Sequence, residues 1–218
     1  MIVAAVLSGA SFLYSKNLLL FLAQHTHTKL YYFTLSEVFF STVEVAVYTG
    51  VFLSLPFVMF LVWRQFRESL TGKIRRGYLF AAFAVLLFYI GCIFCYLVVL
   101  PNGIGFLLSY QGGPLKAMIS TDRFVHFCIN MEFASGVSFE LPVLMLLLGK
   151  LGIVTSKRLA RTRRYAVLLV VIAASIITPT PDAYNMSLVA VPLYILYEIG
   201  LLLLKIGERS LTAKAKSV

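Results

Sequence analysis

FVHFCINMEFASGVSFELPVLMLLL, residues 124–148, is apolar enough to cross a bilayer, yet it carries Glu132 and Glu140 and contains no Lys or Arg. A central acid raises the cost of membrane insertion by about 2.5–3.5 kcal/mol on insertion scales, so it faces a protein interior, a water-filled cavity or a partner helix. Pro142 strengthens the case, because it removes one backbone donor and frees the Ser138 carbonyl. Glu140 is therefore the leading candidate for a functional polar site, and a protonated acid bonded to a neighbouring helix for packing is the plainer alternative. Glu132 lies eight residues earlier, about 80° away round an ideal helix, where it either shares a polar face with Glu140 or lines the bundle.

The rest of the chain has the same character. Hydrophobic residues make up 60% of it, charged residues 13%, and the mean hydropathy is +0.91, a balance foreign to soluble domains. Six apolar stretches follow one another: residues 1–22, broken at Ser15-Lys16-Asn17, then 43–63, 78–100, 124–148, 165–177 and 187–204. Crossing the core takes about 20 helical residues, and lipid tolerates no unpaired backbone. The expected fold is an all-α integral membrane protein, a single domain of six transmembrane helices over residues 1–218. The first stretch has neither a positive leader nor a small-residue cleavage site, so it is expected to be a retained helix.

Basic residues orient the plan. Arg64, Arg67, Lys73, Arg75 and Arg76 fall in the second-to-third connection, and Lys150, Lys157, Arg158, Arg161, Arg163 and Arg164 in the fourth-to-fifth. Lys205, Arg209, Lys214 and Lys216 follow the last span. The positive-inside rule puts these regions, and both termini, on the synthesis side: cytoplasm, matrix or stroma. Glu37, Asp122 and Asp182 then fall on the far side. Topology accounts for most of the +10 net charge, and no nucleic-acid partner is expected.

The fifth and sixth spans are expected to be short. Residues 165–177 supply roughly 20 Å of helix, less than a core of about 30 Å. Thr178-Pro179-Thr180-Pro181-Asp182 turns the chain, and the sixth span carries Pro192 and Glu198. A short hairpin of this kind thins the surrounding bilayer or leans on its neighbours.

From Leu35 to Leu204 the chain resembles the multispan C subunit of the twin-arginine protein translocase. The resemblance rests on Ser36-Glu37-Val38-Phe39-Phe40, Pro56 and Trp63, Phe88-Tyr89-Ile90-Gly91, Gly136-Val137-Ser138-Phe139-Glu140-Leu141-Pro142, Arg163-Arg164-Tyr165, the turn at residues 178–182, and Leu196-Tyr197-Glu198. It implies a helical receptor and scaffold that binds signal peptides of folded cargo and recruits single-span A-type and B-type subunits. It further implies an oligomeric complex embedded in membrane lipid and driven by the proton-motive force. The membrane is then energy-transducing: bacterial cytoplasmic, mitochondrial inner or thylakoid. By position, Glu140 is the family's intramembrane acid and a meeting point for a polar group on a single-span partner. Glu198 is the acid of span six, Asp182 the acid at the far-side tip, and Pro56 and Pro192 bend their helices.

Other chemistry is poorly supported. Cys92 and Cys95 have redox-pair spacing but lie inside span three, where two buried apolar side chains are the better reading; Cys128 is likewise buried. His126 stands alone at the start of span four, and His25 and His27 share a loop without further ligands, so no metal site is expected. No nucleophile, base and oxyanion set and no phosphate loop is visible, so neither an enzyme nor a cofactor is expected. Two alternatives stay open. Glu132, Glu140 and Glu198 suit a proton-coupled solute carrier, although inverted repeats are missing; a translocase descendant serving as a structural subunit of a larger complex is the other.

Two departures bear on recognition. Relatives usually open with a charged segment carrying an acid, absent from residues 1–22, and carry an acid before the paired basic residues where this chain has Lys73-Ile74-Arg75-Arg76. Glu44 also stands where many relatives have Lys. Glu68, Arg75 and Arg76 are the candidates for contact with a signal peptide, and Glu68 is the lone acid among five basic residues. A peptide bearing two arginines is therefore expected to crosslink weakly to the purified chain, and Arg75→Glu to strengthen the crosslink by exchanging a repulsion for an attraction. Strong, arginine-dependent crosslinking to the unaltered chain, indifferent to Glu68→Gln, contradicts this charge argument.

Overall fold

The computed structural model describes residues 9, 11, 12, 14–25, 30, 31, 33–69, 77–109, 118–178 and 182–215. Helices dominate because a backbone in lipid has no water to bond and must satisfy its own N–H and C=O groups. In chain order they are α1 (Ser15–His25), α2 (Leu35–Ser69) and α3 (Gly77–Phe94), which passes through a π turn (Cys95–Val99) into α4 (Leu100–Ser109). Then come α5 (Thr121–Phe139), α6 (Leu141–Lys150), α7 (Ser156–Arg161), α8 (Arg163–Ile177) and α9 (Ala183–Ala215). Two short strands, β1 (Leu30–Tyr31) and β2 (Ile119–Ser120), pair in parallel with Leu30 beside Ile119, a pairing the all-helical expectation did not contain.

Among the described residues, Ser36–Val58, Phe80–Ser109, Thr121–Lys150 and Ala183–Glu208 are long and apolar enough to cross a membrane. α8 has 15 residues, about 22 Å, and is the short helix foreseen from residues 165–177. The expectation of a short sixth helix is corrected. α9 runs for 33 residues, because it starts early at an Asp182 cap and continues past the apolar stretch through Lys205, Glu208 and Lys214 on good helix formers. The third helical run likewise continues beyond residue 100.

Prolines explain the irregularities. Pro56 lies inside α2 and cannot donate to the Phe52 carbonyl; the Tyr89 hydroxyl of α3 donates to it instead, at 2.9 Å. Pro101 cannot donate to Leu97, and the ladder just before it widens so that the Leu100 N–H bonds the Cys95 carbonyl, the π turn that lets the helix continue. The Asn102 side-chain amide donates to the Val98 carbonyl at 2.7 Å. Pro142 breaks α5 from α6 at Glu140, whose N–H turns back to Val137 at 3.1 Å and faces the Ser138 carbonyl as well. The Ser138 carbonyl lacks its usual donor, as expected, and is approached from within the turn by the Glu140 N–H instead.

Small residues let the helices close on one another. A Cβ on Gly91 of α3 would stand 2.8 Å from the Phe139 ring and 3.0 Å from the Gly136 Cα, and the Ser135 hydroxyl of α5 donates to the Gly91 carbonyl at 3.0 Å. On the other side, a Cβ on Gly200 of α9 would meet the Pro142 Cα at 3.0 Å. Cys95, Val99, Leu100, Phe124, Cys128, Ala174 and Leu193 form the main core between these contacts. All three cysteines are free and buried.

The Pro56–Tyr89 account is testable by a double-mutant cycle. Tyr89→Phe leaves the Phe52 carbonyl unbonded in an apolar setting, and destabilisation of about 1–3 kcal/mol is expected in reversible unfolding from bicelles. In a Pro56→Ala background the restored backbone donor should make the same change nearly neutral. Equal losses in both backgrounds contradict the account.

Candidate functional site

Glu140 sits at the joint between α5 and α6, where neither helix claims its side chain. The residue before it, Phe139, packs on Gly91 and stacks at a tilt on Phe94, with ring centroids 5.5 Å apart. Two residues after it, Pro142 is fully buried against Gly200 of α9. The Ser138 hydroxyl turns back to the Ala134 carbonyl at 2.7 Å. The Glu140 carboxyl is half-buried, and its Oε1, sealed from solvent, has no hydrogen-bond partner among the described residues. An acid held this way lacks the compensation a buried polar group ordinarily finds.

Glu132 occupies a different setting. It lines a cavity of about 280 Å³ between α1, α2, the α3 run and α5, together with Leu18, Leu22, Phe52 and Val125. Tyr48 also faces this space, but its hydroxyl donates to the Ile129 carbonyl at 3.1 Å, and Thr49 bonds the Val45 carbonyl at 2.7 Å. Those two groups are spent on backbone, and the Glu132 carboxyl is the acid in a largely apolar chamber that Cys92, Tyr96 and Cys128 also line. Glu140 does not line it, so this cavity does not unite the two acids of the segment.

The remaining site candidates are engaged within the fold. Glu198 accepts from Arg163 at 2.9 Å and from the Tyr194 hydroxyl at 3.1 Å, tying the start of α8 to α9. Asp182 accepts from the Asn185 backbone N–H at 2.8 Å and its amide at 3.0 Å, a helix cap that builds the turn into α9. Glu37 accepts from the Phe33 N–H at 2.8 Å, the Asp122 N–H at 3.2 Å and, in a short contact, the Ser120 hydroxyl. It thereby pins the start of α2 to the start of α5 beside the β1–β2 pair. Pro56 and Pro192 lie inside α2 and α9. Arg75 and Arg76 lie outside the described residues, as does the side chain of Glu68.

One expectation is overturned. His126 is not alone: its Nδ1 lies 2.9 Å from Glu44 Oε1 across the α2–α5 seam, with Asp122 one turn away on α5. The i,i+4 spacing of Asp122 and His126 was visible in sequence, but Glu44 comes from 78 positions before Asp122 and only packing reveals it.

With this geometry in place, comparison with known proteins is direct. Residues 1–192 match the family of the Sec-independent protein translocase protein (TatC). A Sec-independent protein translocase protein TatC of Deinococcus radiodurans is 38% identical over 164 residues, covering 75% of this chain and 61% of that one. The Carboxydothermus hydrogenoformans protein of that name is 31% identical over 193 residues, covering 88% and 79%. A chloroplastic protein of Pisum sativum is 34% identical over 175 residues, covering 79% of this chain and about half of its own length, 49%. A crystal structure of the twin-arginine translocase receptor TatC superposes with a TM-score of 0.78 at 26% identity, covering 93% of both chains. The fold is thus that of a multispan helical membrane protein, and bacterial and chloroplast relatives place it in a bacterial or organellar membrane. The chain belongs to the TatC family of Sec-independent protein translocase proteins.

Proposed function

We propose that the chain is the receptor and scaffold subunit of a twin-arginine-type translocase, moving folded proteins across an energy-transducing membrane at the expense of the proton-motive force. The observation that carries the site assignment is the unbonded Glu140 Oε1 at the α5–α6 break. A carboxyl group with an unmet hydrogen bond among apolar side chains gains from any donor that an incoming membrane helix presents. Glu140 is accordingly assigned as the contact for a polar group on a single-span subunit. The engaged acids Glu198, Asp182 and Glu37 are positioning residues that hold the frame around it.

In this reading six helices cross the membrane with both termini on the synthesis side. The highly basic segments before α3 and around α7 support that placement, as does the acid-bearing knot of Glu37, Ser120 and Asp122 at the opposite end. The signal peptide approaches the basic segment that contains Arg75 and Arg76. α8 is too short to match the bilayer core, so lipid beside it is compressed and the barrier to a polar passenger falls.

Glu140→Gln keeps size but turns one acceptor oxygen into an NH₂ donor and removes the charge-assisted bond. The variant is expected to insert and fold normally while recovery of single-span subunits with it, and transport of a folded twin-arginine cargo into membrane vesicles, fall by about tenfold, a coupling near 1.4 kcal/mol. Full transport with normal subunit recovery contradicts the assignment of Glu140. Absence of any single-span subunit from complexes of the unaltered protein contradicts the translocase reading itself.

A further inference from the structure

The α2–α5 seam holds a second constellation that the translocase reading leaves unused. Asp122 and His126 lie one turn apart on α5 and therefore share a face, and Glu44 of α2 stands opposite them. One ligand atom from each of the three lies within 4.8 Å of the other two. His126 Nδ1 contacts Glu44 Oε1, while the half-buried Asp122 carboxyl makes no hydrogen bond or ion pair among the described residues. A second unsatisfied polar group lies on the same face of α2. Glu37, Ser41, Glu44 and Tyr48 form one stripe of α2, and Glu37, Glu44 and Tyr48 each contact β2 or α5 directly. Ser41 lies in the middle of that stripe, one turn from Glu44; it is fully buried, and its hydroxyl has no hydrogen-bond partner among the described residues.

We propose that Glu44, Asp122 and His126 form a site for a divalent transition-metal ion of the zinc type, joining α2 to α5. The donor set decides the class. Two carboxylates and one imidazole match Zn²⁺, whereas Mg²⁺ and Ca²⁺ favour all-oxygen shells. The seam is already fixed on both sides of the cluster, by Glu37 on Ser120 and the Asp122 N–H and by the Tyr48 hydroxyl on the Ile129 carbonyl, so the ligands are held close before an ion arrives. An ion there stands between the His126 and Glu44 ligand atoms and supplies the Asp122 carboxyl with a counter-charge. Water completes the shell.

The test is calorimetric titration of ZnCl₂ into the full chain purified in detergent. One Zn²⁺ per chain is expected, with affinity lowered by about tenfold or more in Glu44→Gln, Asp122→Asn and His126→Gln. Zn²⁺ should also raise the melting temperature of the unaltered chain, and raise that of the three variants less at the same concentration, by mass action on the folded state. A His25→Gln/His27→Gln variant is expected to bind as the parent does, and excess Mg²⁺ not to compete. Two carboxylate variants protect the test against a misfolded histidine variant. No saturable binding, binding that survives all three substitutions, or binding abolished by the His25/His27 change overturns the assignment.

Discussion

A backbone carbonyl in lipid must find a donor, and the placement of three prolines turns that constraint into architecture. Pro56 frees the Phe52 carbonyl and the structure answers with a side chain from the next helix, so the repair itself becomes an α2–α3 contact. Pro101 is answered by widening the ladder into a π turn, which keeps one continuous helical run from Gly77 to Ser109. Pro142 is answered by a break. Each solution is local, but together they fix where helices pass straight, where they touch and where they part.

The break at Pro142 is the one that makes a site. Gly91, Gly136 and Ser135 bring α3 and α5 into close contact just before it, and Gly200 brings α9 onto Pro142 just after it. Between two contacts this tight the chain cannot slide, so Glu140 is held at the joint with its Oε1 unbonded. Three other acids are paired within the fold, Glu198 by Arg163 and Tyr194, and Asp182 and Glu37 by backbone N–H groups at helix starts. A buried, unbonded carboxyl oxygen at a helix break in a membrane protein has the mark of a group kept for something outside the fold.

Much of this was legible in the sequence. The apolar stretches, the prolines and the isolated acids are local signals, and helices in lipid follow local rules closely. The resemblance resting on Gly136 to Pro142 led to the family because that motif encodes the close helix contact and the break together. What stayed hidden was set by distance along the chain. The Tyr89 hydroxyl, the Ser120 contact of Glu37 and the pairing of Glu44 with His126 join residues 37, 83 and 82 positions apart, and no periodicity announces such partners. The length of α9 was misjudged for another reason: hydropathy marks where lipid ends, whereas caps and helix propensity decide where a helix ends.

The central claim is that the Glu140 carboxyl is completed by a partner helix in the membrane. Photo-crosslinking from Val137 and Leu144, exposed residues within one turn of Glu140, tests it most directly in native membranes, with the exposed Ile176 of α8 as the reference position. The account predicts adducts of a single-span subunit at residues 137 and 144, lost when Glu140→Gln is added and unaffected at residue 176. Adducts at residues 137 and 144 that persist at full yield in the Glu140→Gln chain would contradict it.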